Sequence, residues 1–191
     1  MKPTSIHINI MLLLLFTSFT IKAQTHYYNE TKTFYEDGSA YQCDVDESAL
    51  VILYNKENKH TYDHLEFKDG TDANGAIIFH GLRPLKTDNW TYDKIIEIAD
   101  KHFSDLERGR VADRVYNLKM IIDSSSGKII EVSFSFHKAS SFATIPISTY
   151  RMIELDLKEN VWFIPSEDGK RMKFILSGHT HEVSRFKPIS W

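Results

Sequence analysis

Hydrophobic and polar positions alternate most regularly in two neighbouring stretches of the second half of the chain. Every second side chain is apolar, first at Tyr116, Leu118, Met120 and Ile122, and then, after a turn at 123–127, at Ile130, Val132, Phe134 and Phe136. A two-residue period is typical of strands that face a core on one side and water on the other. The pattern predicts a long β-hairpin, with Glu131 and the serines beside it facing water.

The same alternation returns near the end of the chain and predicts a last strand over 170–177. Its apolar residues are Met172, Phe174 and Leu176, set against Arg171, Lys173 and Ser177. Charged residues at the start of such a stretch, here including Lys170, are typical of an exposed sheet edge. We therefore expect an open edge at this strand. We also expect Phe134 and Phe174 on the helix-covered face of the sheet, with Phe103 packed against that face.

Two helices are expected to cover the apolar face. The clearer one is predicted over 91–108, where apolar side chains recur at three- and four-residue spacing, namely Tyr92, Ile95, Ile96, Ala99, Phe103 and Leu106. Asp88 or Asn89 is predicted to cap the N-terminus of this helix, and Glu97 is predicted to pair with Lys101. Gly109 is predicted to end the helix as a left-handed C-terminal cap. The second helix is predicted within 145–160. The resulting fold is α+β, an antiparallel sheet with two helices on one face.

The first half of the chain is predicted to be rich in β-structure. Turn signals such as Lys68-Asp69-Gly70 and Asn74-Gly75 separate its short apolar and aromatic runs. Strands are predicted at 40–45, 49–54, 61–67 and 76–79. The continuous apolar run at 51–53 indicates a strand covered on both faces. A joint near Pro84 divides the chain into a β-rich part, 24–86, and an α+β part, 87–191.

Residues 1–23 have the pattern of a secretory signal peptide. Lys2 gives the positive start, an apolar run occupies 10–16, and Ala23 ends a cleavage site. A membrane-spanning helix needs about 20 apolar residues, so the short run favours cleavage over the alternative, a retained anchor. The mature protein is expected in the periplasm or outside the cell, with no membrane span after cleavage.

The net charge argues against nucleic acid or anionic lipid as a partner, and the cysteine content excludes an internal disulfide bond. Removal of Lys2 and Lys22 leaves 21 basic residues against 26 acidic ones, a net charge of −5. A mildly acidic domain has no electrostatic attraction for nucleic acid or anionic lipid. Cys43 is the only cysteine, which excludes an internal disulfide bond. It is predicted to be a core residue, and the alternative is an exposed thiol that pairs with another chain.

Histidine spacing provides one candidate metal pair. The rings of His179 and His181 would project from the same face of a strand. Two ligands do not make a zinc site, and His137 is the one candidate considered for a third. His60 and His64 would lie about 13 Å apart in an extended chain, too far for joint coordination. No metal-binding residue or cofactor is therefore assigned.

Motifs for catalysis and ion binding give no further assignment. The sequence contains no glycine-rich phosphate loop and no signature of a serine hydrolase or zinc protease. The stretch 69–75 lacks carboxylates at the first and last positions of a calcium loop, so it is interpreted as a turn. No catalytic residue is assigned.

The stretches GKIIEVSFSF and VWFIPSEDGKRMKFIL, with a helix between them, resemble the C-terminal domain of TonB-type energy transducers. This resemblance covers about 90–183. It implies an α+β fold in which a strand pairs with a partner protein. The stretches FYEDGSAYQCDV and LVILYNKENKHTYDHLEFKDG resemble small exported Bacteroidetes proteins of unknown function.

Two classes of function are consistent with these features. The leading hypothesis is a non-enzymatic envelope protein that binds another envelope protein or a peptide by strand addition at its edge strand. The alternative is a small periplasmic hydrolase or carbohydrate-binding protein with a cleft between the two halves of the chain. An open strand edge would favour the first, and a deep pocket with converging carboxylates or histidines the second.

Overall fold

Six antiparallel strands form one open sheet in the computed structural model, which describes residues 25–185. The strands are β1 (Lys32–Glu36), β2 (Ser39–Val45), β3 (Leu50–Asn55), β4 (Val115–Ile122), β5 (Ile129–His137) and β6 (Ile175–Glu182). Their order is β1-β2-β3-β5-β4-β6, so β1 and β6 form the two edges. Pairing of β3 with β5 joins the two halves of the chain in one sheet. The predicted signal peptide lies outside the described residues.

Five α-helices and one 3-10 helix accompany the sheet within residues 25–185. They are α1 (Asn74–His80), α2 (Asn89–Lys101), α3 (Asp105–Val111), the 3-10 helix (Ser141–Thr144), α4 (Ile147–Asn160) and the single turn α5 (Glu167–Lys170). The predicted α+β fold and the predicted hairpin are confirmed. Within this part of the chain, no helix is long and apolar enough to cross a membrane.

The face of the sheet towards α2 and α4 carries the main aromatic core. The ring centroid of Phe134 on β5 lies 4.9 Å from that of Tyr150 on α4 and 6.3 Å from that of Tyr116 on β4. Phe103, which follows α2, packs against Tyr116 at 6.1 Å. All four side chains are buried. The predicted packing of Phe134 and Phe103 beneath the helices is confirmed.

A loop over 56–73 covers part of the opposite face of the sheet. Glu131 of β5, which was expected to face water, is buried on this side. Its carboxylate accepts hydrogen bonds from the N–H groups of Lys59, at 2.7 Å, and His60, at 3.0 Å. The expectation of a solvated strand face was therefore wrong at this position, because a distant loop supplies donors for the buried charge.

A β-bulge at Ile121 and Ile122 changes which residues of β5 face the helices. Beyond the bulge, Ile122 pairs with Ile129 rather than with Ile130. Ile129 is buried, whereas Ile130, which was predicted to lie in the core, is 39% exposed. An extra residue in one strand reverses the alternation locally, and a strict two-residue period does not predict it.

The helix predicted over 91–108 is divided into α2 and α3. Asp88 caps α2 by accepting a hydrogen bond from the N–H of Trp90, at 2.8 Å. A reciprocal capping box between Ser104 and Glu107 starts α3, which ends the first helix early. Gly109 lies inside α3 and is not a C-terminal cap. The predicted Glu97–Lys101 pair is also wrong, because Lys94 pairs with Glu97 and Lys101 pairs with Asp156.

Two of the four strands predicted in the first half are present, as β2 and β3. The segment 61–67 is part of the covering loop, and 76–79 belongs to α1. The carboxylate of Asp72 accepts hydrogen bonds from the N–H groups of Asn74 and Gly75, which favours a helical turn there. Gly81 then ends α1 in the left-handed conformation. β1 was not predicted.

The last strand begins later than predicted but does lie at an edge. Residues 167–170 form α5, and β6 starts only at Ile175. Lys173 is not on the open edge, because its N–H donates to the carbonyl of Glu66 at 2.9 Å. Phe174 is buried, but its ring stacks on His60 of the covering loop at 4.5 Å. The expectation that Phe174 shares the helix-covered face with Phe134 was therefore wrong.

Candidate functional site

The outer edge of β6 has no strand beside it in the described part of the chain. Antiparallel neighbours bond through alternate residues, and the N–H of Val183, just beyond β6, donates to the carbonyl of Arg114 at 3.1 Å. The register of β4 with β6 continues unbroken from there to Ile175. The backbone groups of Leu176, Gly178 and Thr180 therefore point away from β4, towards the open edge.

A cleft of about 370 Å³ opens beside this edge, between β6 and the start of α2. On the strand side it is bounded by Ser177, Gly178 and His179. The segment 85–89 and Tyr92 bound the other side. The cleft combines a free strand edge with an apolar interior, which contains Leu85, Ile95, Met120 and Phe163.

Hydrogen bonds to two backbone carbonyls hold the helix side of the cleft in place. Thr91, in the first turn of α2, donates from Oγ1 to the carbonyl of Trp162 at 3.0 Å. The N–H of Lys86 donates to the carbonyl of Ile164 at 2.9 Å. The start of α2 is thus bonded to the chain that follows α4, and this gives the cleft a fixed wall.

Trp90 and Trp162 form an exposed aromatic pair close to the cleft. Their ring centroids lie 4.4 Å apart, and both side chains are about half exposed. Each ring covers part of the other, so the pair presents a compact apolar surface rather than two open rings. Exposed tryptophans of this kind are typical of recognition surfaces.

A buried ionic network links α2 and α3 to the end of β6. His181 Nε2 lies 3.1 Å from Asp100 Oδ1, and Arg108 Nη1 lies 3.5 Å from the same oxygen. Arg108 also donates to the carbonyl of Ser184 at 2.7 Å. The buried hydroxyl of Tyr116 lies nearby and has no hydrogen-bond partner within residues 25–185, and burial together with the charge of Asp100 raises its pKa. This network fixes the strand that carries the open edge.

His179 lies on the same face of β6 as His181 and contributes to the cleft wall. Its ring packs edge-on against Tyr92, with 5.2 Å between centroids, and lies 5.7 Å from the ring of His181. Burial and the neighbouring His181 lower the pKa of His179. The same-face geometry was predicted. Among residues 25–185, no three His, Cys, Asp or Glu side chains are grouped as metal ligands, and His137 caps the turn after β5 through Nδ1 instead.

A second pocket, of about 320 Å³, lies on the loop-covered face of the sheet. Residues of both halves of the chain line it: Leu50, Ile52, Thr61, Tyr62, Lys119, Ser133 and Ser135. Lys119 Nζ donates to the carbonyl of Thr61 at 2.6 Å. The hydroxyl of Thr61 is buried and has no hydrogen-bond partner in the described chain. The pocket therefore combines a cationic group with a hydroxyl group that lacks a partner.

The remaining candidates have structural roles. Cys43 is fully buried, and burial, with a smaller effect of Asp44, raises the pKa of its thiol to about 11, as expected for a core residue. His60 pairs with Asp63 at 2.8 Å, and His64 is exposed. The stretch 69–75 contains a turn and the start of α1, and no calcium loop was predicted there.

Sequence patterns missed Asp100, Arg108 and Lys119. The carboxylate of Asp100 is buried under the end of β6, and the helical period over 91–108 does not show this. The sequence does contain one usable signal, Ser104 and Glu107 at capping-box spacing, which would have placed Arg108 in a separate helix. The sequence around Lys119 does not show that this lysine lacks an acidic partner among the described residues.

Comparison with known proteins identifies a family. The family described as a domain of unknown function (DUF5043) matches residues 24–178. The crystal structure of a DUF5043 family protein from Bacteroides uniformis ATCC 8492 is 33% identical in sequence, with a TM-score of 0.76 over 83% of this chain and 95% of that chain. None of the curated proteins compared with the chain matches it. The chain belongs to the DUF5043 family, whose function is unknown.

Proposed function

We propose that this protein is an exported, non-enzymatic module that binds an extended segment of another envelope protein or a peptide by strand addition to β6. The observation that carries the proposal is the open edge of β6 beside the cleft. A segment next to β6 would receive main-chain hydrogen bonds from residues such as Gly178 and Thr180, and such bonds give affinity with little dependence on sequence.

The cleft adds side-chain selection to this mode of binding. Alternate side chains of an added strand point to the same face of the sheet. On the helix side they would reach the apolar interior near Ile95, Met120 and Phe163. We therefore expect the bound segment to carry small or medium apolar residues at alternate positions.

Export is supported by the pattern of residues 1–23. On this proposal, the protein acts in the periplasm or outside the cell. The likeness to the TonB C-terminal domain stays a prediction. The binding proposal does not depend on it, because the open edge and the cleft are features of this chain.

Two substitutions at one residue test the proposal. Gly178 is exposed, and a Cβ at this position would meet nothing within 4 Å. Gly178→Pro removes the outward N–H, which edge strands tolerate, while Gly178→Ala keeps it and serves as the matched control. Peptides selected from a displayed random library on the wild-type protein should bind Gly178→Ala equally well. We expect about tenfold weaker binding to folded Gly178→Pro, because one main-chain hydrogen bond is lost.

A comparison of peptide binding by the two Gly178 variants distinguishes strand addition from other modes of peptide binding. Selected peptides that bind both variants equally would contradict the proposal, as would a library that yields no specific peptide. Circular dichroism of both variants must match that of the wild type, so that a loss of binding reports on the edge and not on folding.

A small hydrolase or carbohydrate-binding protein is the second candidate function. It is favoured by the pocket on the loop-covered face, because residues from both halves of the chain line it, among them Thr61 and Lys119. The lining residues include no carboxylate, which leaves acid–base hydrolysis without its usual groups. This candidate requires a neutral sugar to bind in the pocket.

A further inference from the structure

Lys119 is a half-buried cation that has no acidic partner among residues 25–185. Its Nζ donates to the Thr61 carbonyl, and within the described residues no carboxylate oxygen lies within 4 Å of it. An ammonium group has three N–H donors, so donors remain for a ligand. Burial lowers the pKa of Lys119, and Glu131 and Asp63 oppose this from a greater distance. A charge in this position gains from an anion in the pocket.

The neighbouring groups extend the same binding surface. Lys119 and Ser133 are directly paired across β4 and β5, and both line the pocket. Thr61 is only 8% exposed, and its hydroxyl has no hydrogen-bond partner in the part of the chain that the structure describes. A buried hydroxyl group without a hydrogen-bond partner is unfavourable unless a ligand or a water molecule forms the missing hydrogen bond. Lys119, Ser133 and Thr61 thus line one cavity.

We propose that this pocket binds a small organic carboxylate, with its oxygens on Lys119 Nζ and on the hydroxyl groups of Thr61 and Ser133. Leu50 and Ile52 supply an apolar floor for the rest of the molecule, and Tyr62 supplies an aromatic wall. The cavity of about 320 Å³ suits a compact acid, either aliphatic or a sugar acid.

Charge restricts the ligand to a single negative charge. Lys119 is the only cationic residue among those that line the pocket. Glu131 is buried on the same face, where the N–H groups of Lys59 and His60 hold its carboxylate. Asp44 accepts a hydrogen bond from Tyr62, which lines the pocket. Together with Asp63, which also acts on Lys119, these carboxylates would repel a dianion such as hydrogen phosphate more strongly than a monoanion.

Calorimetric titration with four probes tests the inference on the full mature chain. The probes are propionate, D-glucuronate, D-glucose and inorganic phosphate. We expect at least one of the two carboxylates to bind, and the stronger one identifies an aliphatic or a sugar acid. D-Glucose and phosphate should bind at least about tenfold more weakly. D-Glucose is neutral and cannot form charge-assisted hydrogen bonds, and the nearby carboxylates repel phosphate.

Two variants locate the site. Lys119→Met keeps most of the side chain but removes the ammonium group, and it should weaken carboxylate binding at least about tenfold. Thr61→Val is nearly isosteric, retains the lysine, and should weaken binding by a smaller factor, so the site remains testable if the first variant does not fold. Lys94→Met, on α2, is the control that should bind as the wild type does.

Three results would overturn the inference. They are the absence of binding by both carboxylates, equal binding by D-glucose, and unchanged carboxylate binding in folded Lys119→Met or Thr61→Val. The inference is independent of peptide binding at β6, because the pocket and the cleft have no lining residue in common. Gly178→Pro should therefore keep carboxylate affinity whatever its effect on peptides.

Discussion

The carboxylate of Asp100 on α2 holds the ring of His181 on β6, with 3.1 Å between Oδ1 and Nε2. Both side chains are almost completely buried. The same oxygen accepts a hydrogen bond from the N–H of Ser184, at 3.2 Å. One helix side chain therefore fixes the end of the strand whose outer edge is open, and it also keeps the charge of Arg108 paired.

Asp100→Asn should destabilise the protein by about 3–5 kcal/mol, because it leaves Arg108 buried without its counter-charge. Urea unfolding at neutral pH measures the loss. The control is Asp93→Asn, an exposed position on the same helix, which should change the free energy of unfolding by less than about 0.5 kcal/mol. Equal stability of the two variants would show that the network contributes nothing.

Phe134→Ala should cost about 3–5 kcal/mol, because its fully buried ring packs against Tyr116 and Tyr150. Ile130→Ala is the matched control on the same strand, since the bulge leaves that side chain 39% exposed. Its cost should be much smaller. If both variants shift the denaturation midpoint alike, the assignment of strand faces around the bulge is wrong.

The free energy of unfolding should fall in acid, in part because the carboxylate of Asp156 becomes protonated. Burial acts to raise the pKa of this carboxyl, but hydrogen bonds from Lys101, His102 and Asn160 outweigh burial and lower it. A lowered folded-state pKa stabilises the protein above the unfolded value of about 3.9, and this stabilisation is lost as the pH falls through the folded-state pKa.

Asp156→Asn should therefore be less stable than the wild type at pH 7, and the difference should shrink as the pH falls below about 4. Thermal unfolding across this range gives the measurement. A difference that stays constant down to about pH 2 would show that ionisation of Asp156 is not involved.

Export predicts a processed N-terminus. Expression in a Gram-negative host should yield a chain that begins near Gln24, detectable by intact mass, with the protein in the periplasm or medium. Replacement of Ala23 by a bulky residue should block processing, because the cleavage site needs small residues. Full-length wild-type protein in the membrane fraction would contradict the prediction.

The hydrophobic periodicity correctly predicted strands and helices whose pattern depends on neighbouring residues. It gave wrong results where a segment far away in the sequence determines whether a side chain is buried. The two-residue alternation around Phe134 placed the central hairpin and its buried face. It failed at Glu131 and Ile130, because a bulge and a loop some seventy residues earlier determine their surroundings. The capping-box spacing of Ser104 and Glu107 indicates the break between α2 and α3. The helical spacing of apolar residues continues across this break, so it predicted one helix.

The candidate sites could be predicted only in part. An edge strand near the end of the chain was expected, and β6 does lie at an edge, although its limits and its outward backbone groups depend on pairing with β4. The pocket around Lys119 was not predicted. Its lining residues are separated by up to 85 positions in the chain, and the absence of an acidic partner is a property of three-dimensional arrangement.

The position of β6 in the chain has a consequence for the order of synthesis. β6 is the last of the described strands in chain order, yet it pairs with β4 along its whole length and brings His181 to Asp100. Until β6 has been synthesised, β4 is an edge of the sheet and Asp100 lacks its contact with His181. The sheet therefore cannot be completed until the chain has been made through residue 182, so its closing step is late in synthesis.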